Sequence, residues 1–171
     1  NEEIITKTKI LNPDLIIVVA YGLILPKAFF SIPKFGCINI HVSLLPRWRG
    51  AAPIEHALLA GDKRTGISII KISQKLDAGD IIIQKSLLID KGMYSDDLTS
   101  SLTNLGKKTM VKILSNLFEN KITLKKQDPK KITYATKFSS QDRKINFNNS
   151  AENVLNHIRA HGPKPGSWFT Y

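Results

Sequence analysis

Residues 37–53 read CINIHVSLLPRWRGAAP, and this stretch decides the fold. Cys37 to His41 is a short run of apolar and β-branched residues, the composition of a buried strand. Asn39 and His41 are two apart, so on an extended chain both side chains project from one face. An amide and an imidazole placed among isoleucines cost free energy unless both are engaged. They stand at the carboxyl end of the strand, where open α/β sheets place their ligand crevices. Two readings follow: a satisfied polar pair at a strand end, or the beginning of a site. In the loop that follows, the apolar pair Leu44-Leu45 needs a ligand or a core to pack on, and Pro46 stiffens the turn. Pro53 suits the first position of a helix that runs to Ala60 and stops at Gly61.

Working outward, residues 1–11 have the spacing of a short helix. Residues 14–21 (DLIIVVAY) form a continuous apolar run, expected as a strand buried on both faces. A helical turn is expected at 26–30, and two further strands at 67–72 and 80–88, joined by the loop 73–79. Ser95 is expected to cap a long helix, with Asp96 and Asp97 in its first turn. Leu98, Leu102, Leu105, Met110, Ile113, Leu114 and Leu117 give that helix one buried stripe. Residues 121–144 carry eight basic and two acidic side chains, with a short strand at 132–135. A final helix is expected over Ala151–His161, and a strand-like segment over 167–171. The pattern is α/β with a mostly parallel sheet.

A length of 171 residues suits one domain with a real core, or one domain with a short appendage. No stretch approaches the length of apolar residues a membrane span needs, and no basic-then-apolar leader opens the chain. The net charge of +11 favours an anionic partner. Yet the 25 basic residues comprise 20 Lys and only 5 Arg, which also suits solvated surfaces in a lysine-rich composition. Cys37 is a lone cysteine in an apolar strand, so it forms no internal disulfide and reads as an inert core residue. His56, His157 and His161 fit no zinc spacing, and no metal is expected. The chain starts at Asn1 rather than Met and stops inside its strand-like last segment, so a longer parent protein is expected.

Residues 76–80 read LDAGD, which puts the carboxylate of Asp77 in a glycine-containing loop between two apolar strands. Taken alone, an Asp in a loop is a turn former. Taken in order, Asn39, His41, Ser43-Leu44-Leu45-Pro46 and Asp77 resemble the signature of the folate-dependent formyltransferases. Within that family, VVAYGLILPKA (18–28) and SLLPRWRGAAPIEHALLAGD (43–62) are similar to the branch that formylates methionyl-tRNA. The resemblance runs over nearly the whole chain. It implies a Rossmann-like formyltransferase fold with a mostly parallel sheet over residues 1–120, truncated at its start. Residues 121–171 would be a basic linker, short strand and helix leading to an absent β-barrel domain. The final HGPKPGSW departs from the family junction at His161 and Lys164. Without the first strands, the sheet would expose an unpaired parallel edge and an uncovered face, and the chain alone is expected to be unstable or inactive.

The resemblance also implies the chemistry. A neutral amine attacks a formyl carbon, and the oxyanion that develops needs preorganised donors, worth roughly 3–4 kcal/mol each. Asn39 and His41 are the expected donors. Asp77 would hold the imidazole, favour its charged form, and take the amine proton directly or through a water. The formyl donor would be 10-formyltetrahydrofolate. Tyr21, Gly22, Leu23, Ile24 and Leu25 would shape a slot for its pterin. Ser43, Leu44, Leu45 and Pro46 would contact it, and Leu76, Ala78, Gly79 and Asp80 would offer backbone groups to its edge. A cis Leu45–Pro46 peptide is implied as well. Arg47, Trp48 and Arg49 could stack on a base and pair with phosphate, or Trp48 could pack as loop core beside solvated arginines. The lysine-rich segment 121–144 would track phosphates, or be solvated. The implied partner is initiator methionyl-tRNA, in a bacterial or organellar cytoplasm, with no membrane and no obligate protein partner. A related enzyme for an amino sugar nucleotide or a purine precursor, and a non-catalytic RNA-binding remnant, are the alternatives.

Overall fold

The computed structural model describes residues 2–171, so Asn1 of the expected first helix lies outside the described residues. α1 (Glu2–Leu11) leads into β1 (Ile16–Val19), the single turn α2 (Lys27–Phe30), β2 (Cys37–His41) and the two-residue strand β3 (Arg49–Gly50). Then come α3 (Pro53–Leu59), β4 (Arg64–Lys71), β5 (Ile81–Leu88), α4 (Ser95–Phe118), β6 (Tyr134–Ala135) and α5 (Ala151–His161). β1, β2, β4 and β5 form one sheet in that order, and β3 pairs with β6.

The α/β class agrees with the sequence, and the pairing refines it. β1 runs parallel to β2, with Val18 opposite Asn39, and β3 runs parallel to β6. β4 is antiparallel to both β2 and β5. Parallel neighbours need a long crossover, whereas the short loop 72–80 folds β5 straight back along β4. Among the described strands, parallel pairing in the main sheet is therefore confined to its β1 edge.

That edge corrects a second expectation. The run 14–21 is strand only over Ile16–Val19, and it is not buried on both faces: Ile17 is 42% and Val19 59% exposed. α1 buries none of its residues. The apolar alternation is present, but among the described residues nothing pairs with the outer edge of β1. The far end differs too: residues 167–171 form no strand, and Trp168 makes one isolated bridge with Lys144.

α4 is the scaffold. Tyr94, not Ser95, stands at its N-cap, and the Tyr94 N–H donates to the Asp97 carboxylate at 2.9 Å. The Ser95 hydroxyl instead donates to the carbonyl of Gly162 at 2.7 Å, which ties α4 to the end of α5. Leu98, Leu102, Met110, Ile113 and Leu117 pack against Ile38, Ile67 and Ile69 of the sheet, with Ile54 and Leu58 of α3 and Ala160 of α5 completing the cluster. Each such side chain contributes on the order of 1.5–3 kcal/mol when removed from water. Gly106 lets the helix approach closely, since a Cβ there would lie 3.1 Å from Ile40 Cγ2. Ile38 and Ile40 take the α4 face of β2, so strand alternation turns Asn39 and His41 to the opposite face. That alternation places the site.

Candidate active site

The Asp77 carboxylate is where the separate pieces meet. Its Oδ1 lies 3.4 Å from Asn39 Nδ2, and its Oδ2 lies 3.5 Å from His41 Nδ1. The shortest contact is with the backbone: Gly50 N–H donates to Oδ2 at 2.8 Å. His41 Nε2 donates to the carbonyl of Trp48 at 2.8 Å. Both ring nitrogens thus face oxygen acceptors, an arrangement that the imidazolium satisfies at both ends. The amide, the imidazole and the acid therefore meet from β2 and the β4–β5 loop; the spacing placed Asn39 and His41 on one face, and the resemblance added Asp77.

Backbone geometry around the acid is unusual. Asp77 and Trp48 adopt left-handed conformations, with φ of 47° and 63°. Non-glycine residues in that region cost on the order of 1 kcal/mol or more and persist only when neighbours over-determine them. The neighbours are present. Gly79 touches the backbone of Lys71 so closely that a Cβ would fall 1.6 Å from its carbonyl oxygen. Gly50 has φ 120°, and a Cβ there would lie 2.6 Å from the carbonyl oxygen of Ala135. The Asp77 loop lies against the end of β4, and β3 against β6, this closely because Gly79 and Gly50 lack side chains.

In front of Asn39 and Asp77 lies an open cleft. Tyr21, Leu23, Ile24, Leu25, Leu76, Ala78 and Gly79, all named from the sequence, line it together with Val18 and residues 70–75. Its apolar wall and the loop backbone of residues 76–79 suit a flat, hydrogen-bonding heterocycle. Gly22, Asp80 and His41 are not part of the lining. His41 is 6% exposed and sits behind Asn39 and Asp77 rather than in the cleft.

The SLLP loop is placed differently from its expected role. Ser43 and Leu45 are buried, Leu45 packing with Ile70 and Ile81. Leu44, Leu45 and Pro46 line a separate groove with Lys125, Lys126 and Lys131, not the cleft. A polar network holds the loop from beneath. Ser68 donates its hydroxyl to the carbonyl of Ser43 at 2.6 Å and accepts the Leu45 N–H at 3.0 Å. Gln84 donates to the Leu45 carbonyl at 2.9 Å. The Leu45–Pro46 peptide is cis, as the resemblance implied. In this structure these four residues support the site and do not line its cleft.

Arg47, Trp48 and Arg49 divide between the two readings. Arg47 makes a forked ion pair with Asp62, at 3.0 and 2.8 Å, and lies over the Trp48 ring. Trp48 Nε1 donates to the same carboxylate at 2.8 Å. Arg49 is buried, and both Nε and Nη2 donate to Gln127 Oε1, at 3.1 and 2.7 Å. Arg49 is committed inside the molecule, so a phosphate contact by its guanidinium is corrected to an internal role. Arg47 keeps an exposed flank beside its partner, with 43% of its side chain accessible.

Two contributors escaped the sequence reading. Asp62 closes α3 and organises Arg47 and Trp48. Gln127, from the basic segment, reaches into the Asp77 loop. Asp62 ends the string 43–62 without a role read for it, Gln127 belongs to no motif, and only their positions in space reveal what they do. Cys37 is buried and its thiol is pushed up to about 11, by burial first and against the nearby Lys71 ammonium, in keeping with an inert core residue. Among the described residues no cluster of three or more metal-binding side chains occurs, and no helix is long and apolar enough to cross a membrane.

Residues 1–114 match the family model described as Formyl transferase, and residues 137–171 match the one described as Formyl transferase, C-terminal domain. Proteins named methionyl-tRNA formyltransferase are similar to most of the chain. The one from Bartonella tribocorum is 46% identical over 158 residues, covering 92% of this chain and 51% of its own length. The one from Ehrlichia canis is 47% identical over 154 residues, covering 90% and 50%. The chain thus spans about half the length of the curated relatives it matches. Among solved structures, a likely sugar N-formyltransferase from Mycobacterium tuberculosis superposes with TM-score 0.84 at 22% identity, covering 98% of this chain and 72% of that one. HypX from Aquifex aeolicus in complex with tetrahydrofolic acid superposes with TM-score 0.83 at 17% identity, covering 96% and 28%. At those identities the two structures show a shared fold.

Proposed function

The chain belongs to the formyl transferase family, and we propose that it carries the catalytic centre of an enzyme that moves a formyl group from 10-formyltetrahydrofolate to the amino group of methionyl-tRNA, in a bacterial or organellar cytoplasm. The observation that carries this reading is the meeting of Asn39 and His41 at the Asp77 carboxylate, with Asn39 and Asp77 opening on the cleft and His41 buried behind them. The tRNA acceptor is supported by the names of the curated relatives and by the basic excess of the chain.

The residues have distinct tasks. Tyr21, Leu23, Ile24 and Leu25 exclude water from one face of the pterin, and the backbone of 76–79 meets its polar edge. Asn39 faces the cleft and donates its amide N–H to the formyl oxygen as negative charge gathers there. His41 supplies the second donor by exchanging the Trp48 carbonyl for that oxygen, since an oxyanion is the stronger acceptor for a charged N–H. Asp77 keeps the imidazole aligned and accepts the proton that the attacking amine sheds, directly or through a water. The new C–N bond then remains as the bond to the folate nitrogen breaks, and the proton returns to that nitrogen. These tasks require neither a covalent enzyme intermediate nor a metal.

The acceptor is tested by offering methionyl-tRNA, an amino sugar nucleotide and a purine-precursor amine, with 10-formyltetrahydrofolate, to a protein in which this chain is extended to the length of the relatives it matches. Formylation of methionyl-tRNA at a kcat/KM at least a hundredfold above the other two is expected. Transfer to the sugar nucleotide or the precursor instead would replace this reading with another acceptor in the same family. Transfer to none of them would remove the enzymatic reading.

A further inference from the structure

Residues 115–136 lie between the two segments matched by family models, and the sequence presents them as a lysine-rich connection. In space they form a strap over the site. Lys125 exchanges both backbone hydrogen bonds with Ile81, at 2.8 and 2.9 Å. Thr133 N–H donates to the Pro46 carbonyl at 3.3 Å, and the Thr133 hydroxyl accepts the Trp48 N–H at 2.9 Å. Tyr134 and Ala135 pair with Arg49 and Gly50. The strap therefore touches the β5 start, the SLLP loop and the strand that donates to Asp77.

Gln127 is the one side chain in the strap that spans the gap between the two halves of the site. Its Nε2 donates to the carbonyls of Asp77 and Gly79, at 2.7 and 2.8 Å. Its Oε1 accepts from Nε and Nη2 of the buried Arg49, at 3.1 and 2.7 Å. Every hydrogen-bonding capacity that a primary amide directs outward is used, which fixes the side chain's orientation and its O/N assignment together. Arg49 precedes Gly50, whose N–H holds the Asp77 carboxylate at 2.8 Å. The ring closes from Gln127 through Arg49 and Gly50 to Asp77 and back to Gln127.

We propose that Gln127 is a positioning residue, which holds the carboxylate of Asp77 at the distance from His41 and Asn39 that formyl transfer requires. This rests on the reaction proposed above. The physical reason is that Asp77 sits in a left-handed backbone conformation, which Asp tolerates better than most residues but which still needs its neighbours to hold it. Two donors on its own carbonyl and that of Gly79 hold the loop in that conformation. Gln127 touches neither substrate nor reacting atoms; it acts through Asp77.

The test compares Gln127→Met and Gln127→Glu. Met keeps the volume and removes every hydrogen bond. Glu keeps an acceptor for Arg49, and adds an ion pair to it, but replaces the two donors with a carboxylate facing two carbonyl oxygens. A merely structural role in burying Arg49 predicts that Glu restores what Met loses. The positioning role predicts that both variants fail alike. The readout within the chain itself is hydrogen exchange at the Gly50 amide, whose acceptor is the Asp77 carboxylate. Exchange at Gly50 is expected to speed up at least tenfold in both variants, while amides of α4 keep their protection. In the formyl-transfer assay, kcat is expected to fall at least tenfold in both, with the KM for folate within threefold of wild type. Unchanged Gly50 exchange in folded variants, or recovery of kcat by Glu, would overturn the proposal. A wild-type protein without formyl transfer would sink the reaction, and the Gly50 exchange would still decide whether Gln127 positions Asp77.

Discussion

Oδ2 of Asp77 stands 2.8 Å from the backbone N of Gly50, so this carboxylate is held first by a main-chain donor and only then by the side chains of Asn39 and His41. His41 Nδ1 and Asn39 Nδ2 lie farther from it, at 3.5 and 3.4 Å. Such spacing suits a site in which the acid is anchored while its partners keep room to shift toward substrate.

Gly50→Ala tests the anchor. An added Cβ would meet the Ala135 carbonyl oxygen at 2.6 Å, at φ 120°, so the β3–β6 pairing must open. The expected loss is about 1–3 kcal/mol of stability from the strained conformation, read as the urea midpoint at constant m. Turnover is expected to fall beyond what the change in folded fraction accounts for. A variant with wild-type midpoint and turnover would show that the close approach is not required.

The pH dependence of stability has a marked contributor in α5. His161 is held down at about 4 by burial first, then by His157 and Arg143, with His56 adding and Asp142 opposing. Its Nε2 and that of His157 have no hydrogen-bond partner among the described residues. The folded value lies below the unfolded value of about 6.5, so the unfolded chain binds more protons between them. The stabilisation is full above about pH 6.5 and is lost as pH falls toward 4. His161→Phe, which retains a ring against Phe138, is expected to reduce proton uptake on unfolding in that window by about one proton. Urea midpoints measured from pH 4 to 7 read this directly. An unaltered slope would place the acid sensitivity elsewhere.

The groove beside the SLLP loop tests the acceptor. Lys125, Lys126 and Lys131 line it together with Arg47. Replacing Lys126 and Lys131 by Gln removes two charges and leaves the Asp77 loop untouched. The affinity for tRNA is expected to fall several-fold, and its salt slope by roughly one for each phosphate that is no longer neutralised. Folate binding is expected to be unchanged. Equal salt slopes for the variant and the wild type would mean that the tRNA lies elsewhere.

Much of the fold was legible because the residues concerned make their case locally. The limits of Cys37–His41 and of Ala151–His161 follow from alternation and helical spacing, and the structure keeps both. Asn39, His41 and Asp77 were legible through their order and spacing, although no pair is adjacent. Other features depend on partners that local pattern cannot name. The run 14–21 is as apolar as a central strand, yet Val19 faces outward because nothing among the described residues lies against it. Arg49 looks like its exposed neighbour Arg47 until Gln127 is seen to bury it. The SLLP residues carry a signature without revealing whether they touch a ligand or support those that do.

The central claim is that Asn39, His41 and Asp77 act together on a formyl group. It is tested most directly by single-turnover formylation of methionyl-tRNA, with donor and acceptor saturating, in His41→Ala and Asp77→Ala beside the wild type. Each substitution is expected to slow the step by more than about a hundredfold, as loss of a general acid–base or oxyanion partner does, with folate affinity within about threefold. Rates equal to wild type in either variant would contradict the account.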